Sequence, residues 1–377
     1  MRRPTRISTT FLIVLGVTLP LATVNLLVDI WTILARPTLS DFRHYFLAAQ
    51  IGLQHGWSHI YDLGLQRPLF HAEFPGWDFQ PFANPPPMAW LAVPFTALPY
   101  RPAAYLWGAL MIACLVVASQ LIAAGSRLSR VASFTAVLGV FPVMHGIAVA
   151  NVATAVALAV VAAWWLLQRD HQVLAGIVLG AMVLKPHLGI LLPLALLFCG
   201  RWRTVLSAGL VATVVAALSV ISLGPAGLHQ YSEVLTLVGN LKNQQALTVI
   251  SVVGSGPASL VLEAAMGITA IAAAWLNRKQ GLEFPMAAAL IGSLLVDRYL
   301  NTSDLTMVVV ALWLIIRVDI PVPVRLLIGA TWMATNFATV AVLPQLTLEV
   351  GLLVALIALA LRRVTTPLSL PLQAPAA

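Results

Sequence analysis

Asp41 lies in a Ser-Asp-Phe-Arg-His-Tyr stretch and is the first candidate for chemistry in the sequence. It follows the first long apolar run of a chain in which only 9% of residues are charged. Apolar residues after it recur at helical spacing, which predicts an amphipathic helix lying at the outer surface of a membrane, with Asp41 in its first turn. There the carboxylate either complements the helix dipole or, facing a cavity, acts as a general base that removes a proton from a hydroxyl group. The spacing leaves both interpretations open.

Lys185 is a second candidate because it interrupts an apolar stretch, in the order Leu184-Lys185-Pro186-His187. The segment from about His171 to Lys185 spans about 21 Å at about 1.5 Å per residue, which is less than the ~30 Å hydrocarbon core. The break is therefore expected below the outer surface, where a charged lysine facing lipid carries a large free-energy cost. We expect Lys185 to face a wet cavity or an anionic partner, for which a phosphate is the obvious choice. Snorkelling to the headgroups is the alternative.

The polar run at residues 297–304 is a third candidate. A hydroxyl group of the run is suited to cap the following helix, and Asp304 is suited to its first turn. Asp297 is suited to pair with its neighbour Arg298. Alternatively, Arg298 binds a phosphate or pyrophosphate, because its planar guanidinium matches the geometry of oxyanions. Both interpretations stay open.

The sequence contains no pattern typical of a metal or nucleotide site. Asp41 and His44 stand three residues apart, but two ligands do not make a metal site. No Walker loop or dinucleotide-binding fingerprint is present. We therefore predict no metal and no cofactor, and a divalent ion has no support from the sequence.

Membrane helices are the elements that must position these residues. Runs of about 20 apolar residues, the length that spans a bilayer as a helix, recur along the chain. They are continuous rather than alternating, so an all-α polytopic membrane protein is predicted instead of a barrel. About twelve transmembrane helices are expected, near residues 11–34, 103–124, 131–149, 152–168, 173–184, 187–198, 204–223, 257–276, 284–300, 304–317, 321–343 and 347–361. Met88 to Leu98 is too short to span and is predicted to be re-entrant or interfacial.

The distribution of Lys and Arg predicts the orientation. With both termini in the cytoplasm, two thirds of these residues fall on the cytoplasmic side, as the positive-inside rule requires. The net charge of +8 thus indicates a multi-pass protein of the plasma (inner) membrane rather than a nucleic-acid partner. We predict one integral membrane domain, 1–363, with outer loops at 35–102 (the first loop) and 224–256 (the second loop). A disordered tail is predicted at 364–377.

An ordered set of short motifs resembles the glycosyltransferase family 87 proteins over about residues 35–315. The motifs are Asp41…Tyr45, Tyr61-Asp62, Phe82-Ala83-Asn84-Pro85-Pro86 leading to Pro94…Leu98-Pro99, Ala150-Asn151, Leu174-Ala175-Gly176…Leu184-Lys185-Pro186, Arg201-Trp202-Arg203 and Tyr299-Leu300…Asp304-Leu305.

The resemblance implies a GT-C-like fold and a polyprenyl-phosphate sugar donor, usually of mannose, used on the non-cytoplasmic face with inversion. The acceptor is expected to be a glycolipid or glycan, and membrane lipids surround the protein. Asp41 matches the family's catalytic base, and Lys185 matches a Lys-Pro position to which, with Arg298, we assign the donor phosphate. Further expected substrate-binding residues are His44, Tyr45, Tyr61, Asp62, Asn84, Asn151, His187 and Asp304.

Two elements depart from the family pattern. Of a frequent Gly-Gln-x-Asn element only Asn151 is kept, and a Ser-Pro-Tyr-like element reads Asp297-Arg298-Tyr299. A transporter or lipid flippase is an alternative, because broken helices and intramembrane charges occur there too. No internal repeat supports it. A polysaccharide polymerase or ligase is a third possibility, although the second loop carries only one basic residue, Lys242.

Overall fold

The structure, a computed structural model, describes residues 9–35, 40–123, 127–239 and 245–365. All regular structure in these ranges is helical, as predicted. The α-helices, in chain order, are α1 (Thr9–Ala35), α2 (Ser40–His55), α3 (Leu63–Glu73), α4 (Pro86–Ala92), α5 (Tyr100–Ile122), α6 (Arg127–Leu138), α7 (Phe141–Ala148), α8 (Ala153–Leu167), α9 (Gln172–Leu179), α10 (Leu192–Phe198), α11 (Trp202–Gly239), α12 (Val249–Val253), α13 (Pro257–Asn277), α14 (Glu283–Leu295), α15 (Thr306–Ile316), α16 (Val322–Phe337) and α17 (Val342–Thr365).

Fewer helices than the sequence predicts are long enough by themselves to cross a membrane. Within the described ranges, α5, α11, α13 and α17 are long and apolar enough to cross a membrane. The pair α6 and α7 adds a fifth unit, bent by 69°. Several of the twelve predicted spans are instead apolar helices of 10–17 residues. The prediction of apolar membrane helices is confirmed, but the count of twelve is not.

Burial inside the protein explains part of this difference. Every residue of α14 from Phe284 to Leu295 is buried, and so is every residue of α15 from Thr306 to Ile315. A helix that is apolar on all sides is expected either in lipid or in the centre of a large protein. Composition does not distinguish these two environments, so the sequence predicts a transmembrane helix where the structure has a buried central helix.

The first loop folds onto the helical core. Helix α2 forms where the sequence predicts it, with Asp41 in its first turn. It is more deeply buried than a surface helix, however. Arg43, a charged residue, is only 4% exposed and lies over the ring of Trp77 at 3.5 Å, whereas the apolar Leu53 is 55% exposed. The segment predicted to be re-entrant or interfacial is short, comprising α4 and a 3-10 helix, Val93–Ala97.

The second loop is largely helical. Helix α11 is interrupted at Gly224, whose φ of 62° lies in the left-handed region that favours glycine, and resumes after it. The resumed part packs on the first loop: Tyr231 stacks on Tyr61 at 4.4 Å. A Cβ on Gly227 would lie 2.8 Å from the Ser58 carbonyl oxygen. The two loops therefore form one layer. Lys242 and residues 366–377, most of the predicted tail, lie outside the described residues.

Three short helices form the support of the predicted site. Helix α8 leads away from the first loop, and α9 runs back to a 3-10 helix, Gly180–Leu184. The chain turns at Lys185 into a second 3-10 helix, Pro186–Gly189, before α10. Pro186 cannot donate a backbone hydrogen bond, which suits a break at this point. Lys185 thus lies at the turn between the two 3-10 helices.

Candidate active site

The Asp41 carboxylate is anchored at the junction of α7 and α8. The Asp41 backbone N–H, one of the donors that a helix start leaves unpaired, donates to the Val149 carbonyl oxygen at 3.0 Å. Asn151 Nδ2 donates to Asp41 Oδ2 at 2.5 Å. The Ser40 hydroxyl lies 3.5 Å from Oδ1. Backbone and side chain of Asp41 are therefore held by the same short turn.

This turn carries a strained backbone. Ala150 has a φ of 59°, a conformation that costs a residue other than glycine of the order of 1–3 kcal/mol. The Trp107 indole donates to the Ala150 carbonyl oxygen at 3.0 Å and stacks on Phe42 at 5.0 Å. Trp107 was not a sequence candidate, because a tryptophan within an apolar helix carries no distinguishing signal.

Lys185 forms a buried ion pair with Asp304. Their side chains are 3% and 0% exposed. The second carboxylate oxygen of Asp304 accepts from the Asn301 backbone N–H at 2.9 Å. The snorkelling alternative is therefore wrong; the anionic group that Lys185 contacts here is a carboxylate of this chain, and its contact with a donor phosphate stays a prediction.

His187 extends this pair toward the surface. Its Nε2 atom lies 3.7 Å from Asp304 Oδ2 and 3.9 Å from Asp297 Oδ2, and its side chain is 30% exposed. Burial raises the pKa of Asp297, against the opposing effect of His187. His187 is thus the accessible member of a group of two carboxylates and two basic side chains.

Two tyrosines join this group to Asp41. Tyr45 and Tyr299 each interact electrostatically with both Asp41 and Asp304. On the opposite side, α7 packs closely on the Asp304 turn, since a Cβ on Gly146 would lie 3.2 Å from the Ser303 Cβ. We call this group the Asp41 cluster; its members are Asp41, Tyr45, Asn151, Lys185, His187, Tyr299 and Asp304.

Two histidines flank Asp41. His44 stacks on Phe70, with ring centroids 5.9 Å apart, and burial lowers its pKa to about 4 although Asp41 opposes the shift. It is therefore neutral at pH 7. His145 of α7 also interacts electrostatically with Asp41. It was missed in the sequence, although a lone histidine within an apolar helix is a signal of function.

Arg298 contacts a different part of the protein from Lys185. Its Nε donates to Glu263 Oε2 at 2.9 Å and its Nη2 donates to the Ser259 hydroxyl at 3.2 Å, so it joins α13. The predicted pair with Asp297 is wrong, since Glu263 takes the guanidinium instead. The Arg298 side chain remains 47% exposed.

Three other expected substrate-binding residues have structural contacts. Tyr61 is fully buried and donates to the Asn84 carbonyl oxygen at 2.6 Å. Asp62 caps α3, accepting from the backbone N–H groups of Gly64 at 2.8 Å and Leu65 at 3.3 Å. These contacts fold the first loop. No three His, Cys, Asp or Glu side chains within the described part of the chain are arranged to hold a metal ion.

Comparison with known proteins identifies the family. The model of glycosyltransferase family 87 matches residues 82–300, more than half of the chain. The chain belongs to glycosyltransferase family 87. No curated protein and no solved structure matches it. The predicted family is thus confirmed, and this family 87 chain is a membrane glycosyltransferase. The matched residues include Asn151, Lys185 and Arg298; Asp41 precedes them and Asp304 follows them.

Proposed function

We propose that this family 87 chain transfers a sugar, with mannose favoured, from a polyprenyl-phosphate donor to a glycolipid or glycan acceptor. The reaction takes place on the non-cytoplasmic face of the plasma (inner) membrane and inverts the anomeric carbon. Family membership supports sugar transfer. The observation that supports the placement of the site is a packing contact: α7, next to the turn that holds Asp41, lies against Ser303, the neighbour of the buried Asp304 that pairs with Lys185.

Asp41 is the general base in this proposal. It removes the proton from an acceptor hydroxyl as the oxygen attacks the anomeric carbon from the face opposite the phosphate. The bond between the anomeric carbon and the phosphate oxygen breaks, and the lipid phosphate leaves with the electron pair. Since the pKa of His44 is lowered to about 4, His44 is neutral at pH 7 and does not form an ion pair with this carboxylate.

The cations of the site stabilise the departing phosphate. A leaving lipid phosphate gains negative charge, so a fixed positive charge lowers the barrier. Lys185 is buried and paired, so the phosphate reaches it from the side of His187, whose side chain is 30% exposed. Arg298, half exposed beside Glu263, contacts the phosphate at the edge of the site. The proposed reaction needs no metal or other cofactor.

A donor assay tests the proposal. Purified protein is incubated with a panel of polyprenyl-phosphate sugars, an acceptor extract and a chelator, and free polyprenyl phosphate is measured. We expect release with one donor and its loss in Asp41→Asn, whose thermal midpoint should match that of the unmodified protein. A lipid flippase would move the donor without cleaving it. Release from none of the donors, or full transfer by Asp41→Asn, would reject the proposal.

A further inference from the structure

We propose that Asn151 is a positioning residue for the Asp41 carboxylate, holding one oxygen so that the other faces the acceptor hydroxyl. This role rests on the proposed function of Asp41 as the base. Asn151 was expected to contact substrate, but its side chain is only 2% exposed and both of its polar atoms are engaged within the protein.

The contacts of Asn151 determine the orientation of its amide. Its Oδ1 accepts from the Ala153 backbone N–H at 2.9 Å. A backbone N–H only donates, so the atom facing it must be the amide oxygen. The Nδ2 group then points to Asp41 Oδ2, 2.5 Å away, and presents a donor to an acceptor. A flipped amide would place a donor against a donor, so one geometry is selected.

The two carboxylate oxygens of Asp41 consequently differ. Oδ2 is held by the Asn151 amide, whereas the contact that Oδ1 makes among the described residues is to the Ser40 hydroxyl at 3.5 Å, which is long for a hydrogen bond between oxygens. Oδ1 is therefore the oxygen placed to receive the proton. A base must be oriented as well as present, because a displacement of about 1 Å can reduce a rate about 100-fold.

The backbone around Asn151 makes this support rigid. The turn that presents it also accepts the Asp41 N–H through the Val149 carbonyl. Ala150, directly before Asn151, adopts the left-handed conformation, and Trp107 holds its carbonyl oxygen. Such a conformation persists only where surrounding contacts over-determine it. The strained Ala150 therefore lies in the turn between α7 and α8 that holds the Asp41 carboxylate at the start of α2.

Two substitutions of Asn151 remove its hydrogen bond to Asp41 and keep its hydrogen bond to the Ala153 N–H. In Asn151→Asp the carboxylate still accepts from the Ala153 N–H, but no ionised group can donate to Asp41. In Asn151→Ser the hydroxyl can still accept from the Ala153 N–H without adding charge, but it is too short to hold Asp41. The matched control is Asn336→Asp. Asn336 Oδ1 accepts from the Phe141 N–H at 2.8 Å, at the other end of α7.

We expect kcat to fall about 100-fold in Asn151→Asp and Asn151→Ser, with an unchanged donor KM and with Asn336→Asp unaffected. In Asn151→Asp the acid limb of the kcat profile moves to higher pH, because two facing carboxyl groups resist simultaneous ionisation. The limb stays in place in Asn151→Ser. The other titratable groups facing Asp41 are common to all variants: His44, Tyr45, His145 and Tyr299.

A swapped pair tests the contact without activity. Asn151→Asp should lower the thermal midpoint at pH 8, and the double variant Asp41→Asn with Asn151→Asp should restore the midpoint but not turnover. If the unmodified protein releases no polyprenyl phosphate, the proposed function fails while the midpoints still test the pair. Wild-type kcat and pH profile in both single variants of Asn151 would overturn the positioning role.

Discussion

One ion pair lies near each end of α8, and the two pairs differ in burial. Near its start, in the Asp41 cluster, Lys185 and Asp304 pair with side chains that are 3% and 0% exposed. Beyond its end, Arg201 and Asp170 pair at 2.6 Å with side chains that are 28% and 76% exposed. We call the latter the Arg201 pair. The 15 residues of α8 separate the two regions by about 22 Å.

The difference in burial changes what each pair contributes. An exposed ion pair gains little, because water screens it and two flexible side chains must be ordered. Two charges taken out of water carry a large desolvation cost, and replacing such a pair by apolar residues is often neutral for stability. A buried pair in a chain so poor in charge is therefore more consistent with a role in the reaction than in folding.

The largest effect is expected for activity at Asp41. Asp41→Asn should reduce kcat about 10³-fold, within the range that a general base contributes. Asp170→Asn is the matched control, since it makes the same chemical change at the other end of α8, and it should retain full turnover. Equal loss in both variants would remove the contrast between the two regions.

The next effect concerns the buried pair itself. Asp304→Asn leaves the Lys185 charge uncompensated and should lower the free energy of unfolding by about 3–5 kcal/mol. The double variant Lys185→Met with Asp304→Leu should recover most of that stability, measured by denaturant unfolding in detergent. It should still fail to bind the donor. A double variant with wild-type donor affinity would contradict the phosphate role of Lys185.

A smaller effect is expected from pH. The pKa of His44 is about 4 in the folded protein and about 6.5 when unfolded, so the unfolded state binds more protons between these values. The contribution of His44 to stability should therefore be complete above pH 6.5 and should fall by about 3 kcal/mol when the pH reaches 4. His44→Gln should remove this part of the decline in thermal unfolding scans. An identical decline in that variant would assign it to other groups.

The smallest effect is expected at the Arg201 pair. Asp170→Asn should leave the thermal midpoint unchanged within error, because the carboxylate is exposed and screened. Raising the salt concentration should likewise produce no difference between this variant and the unmodified protein. A clear drop in the thermal midpoint would show that the exposed Arg201 pair also contributes to stability, contrary to the proposed difference between the two pairs.

The features predicted correctly from the sequence are those that neighbouring residues specify. Spacing of apolar residues predicted α2 and the position of Asp41 in its first turn, and the break at Lys185-Pro186 was visible as a charge and a proline in an apolar run. The ordered short motifs indicated the family that residues 82–300 match. The count of twelve spans is not confirmed, and central helices such as α14 are as apolar as helices long enough to cross a membrane.

Composition thus predicted a helical membrane protein, and the ordered motifs indicated the family; Asp41 and Lys185 stay the two residues predicted for the site. The partners of those residues came from the fold: Asn151 reaches Asp41 across 110 positions of the chain, and Asp304 reaches Lys185 across 119. Arg298, beside a suitable acid in sequence, pairs with Glu263 of another helix. The physical reason is burial. A polar group removed from water must find a partner in space, and which group lies there depends on how the helices pack.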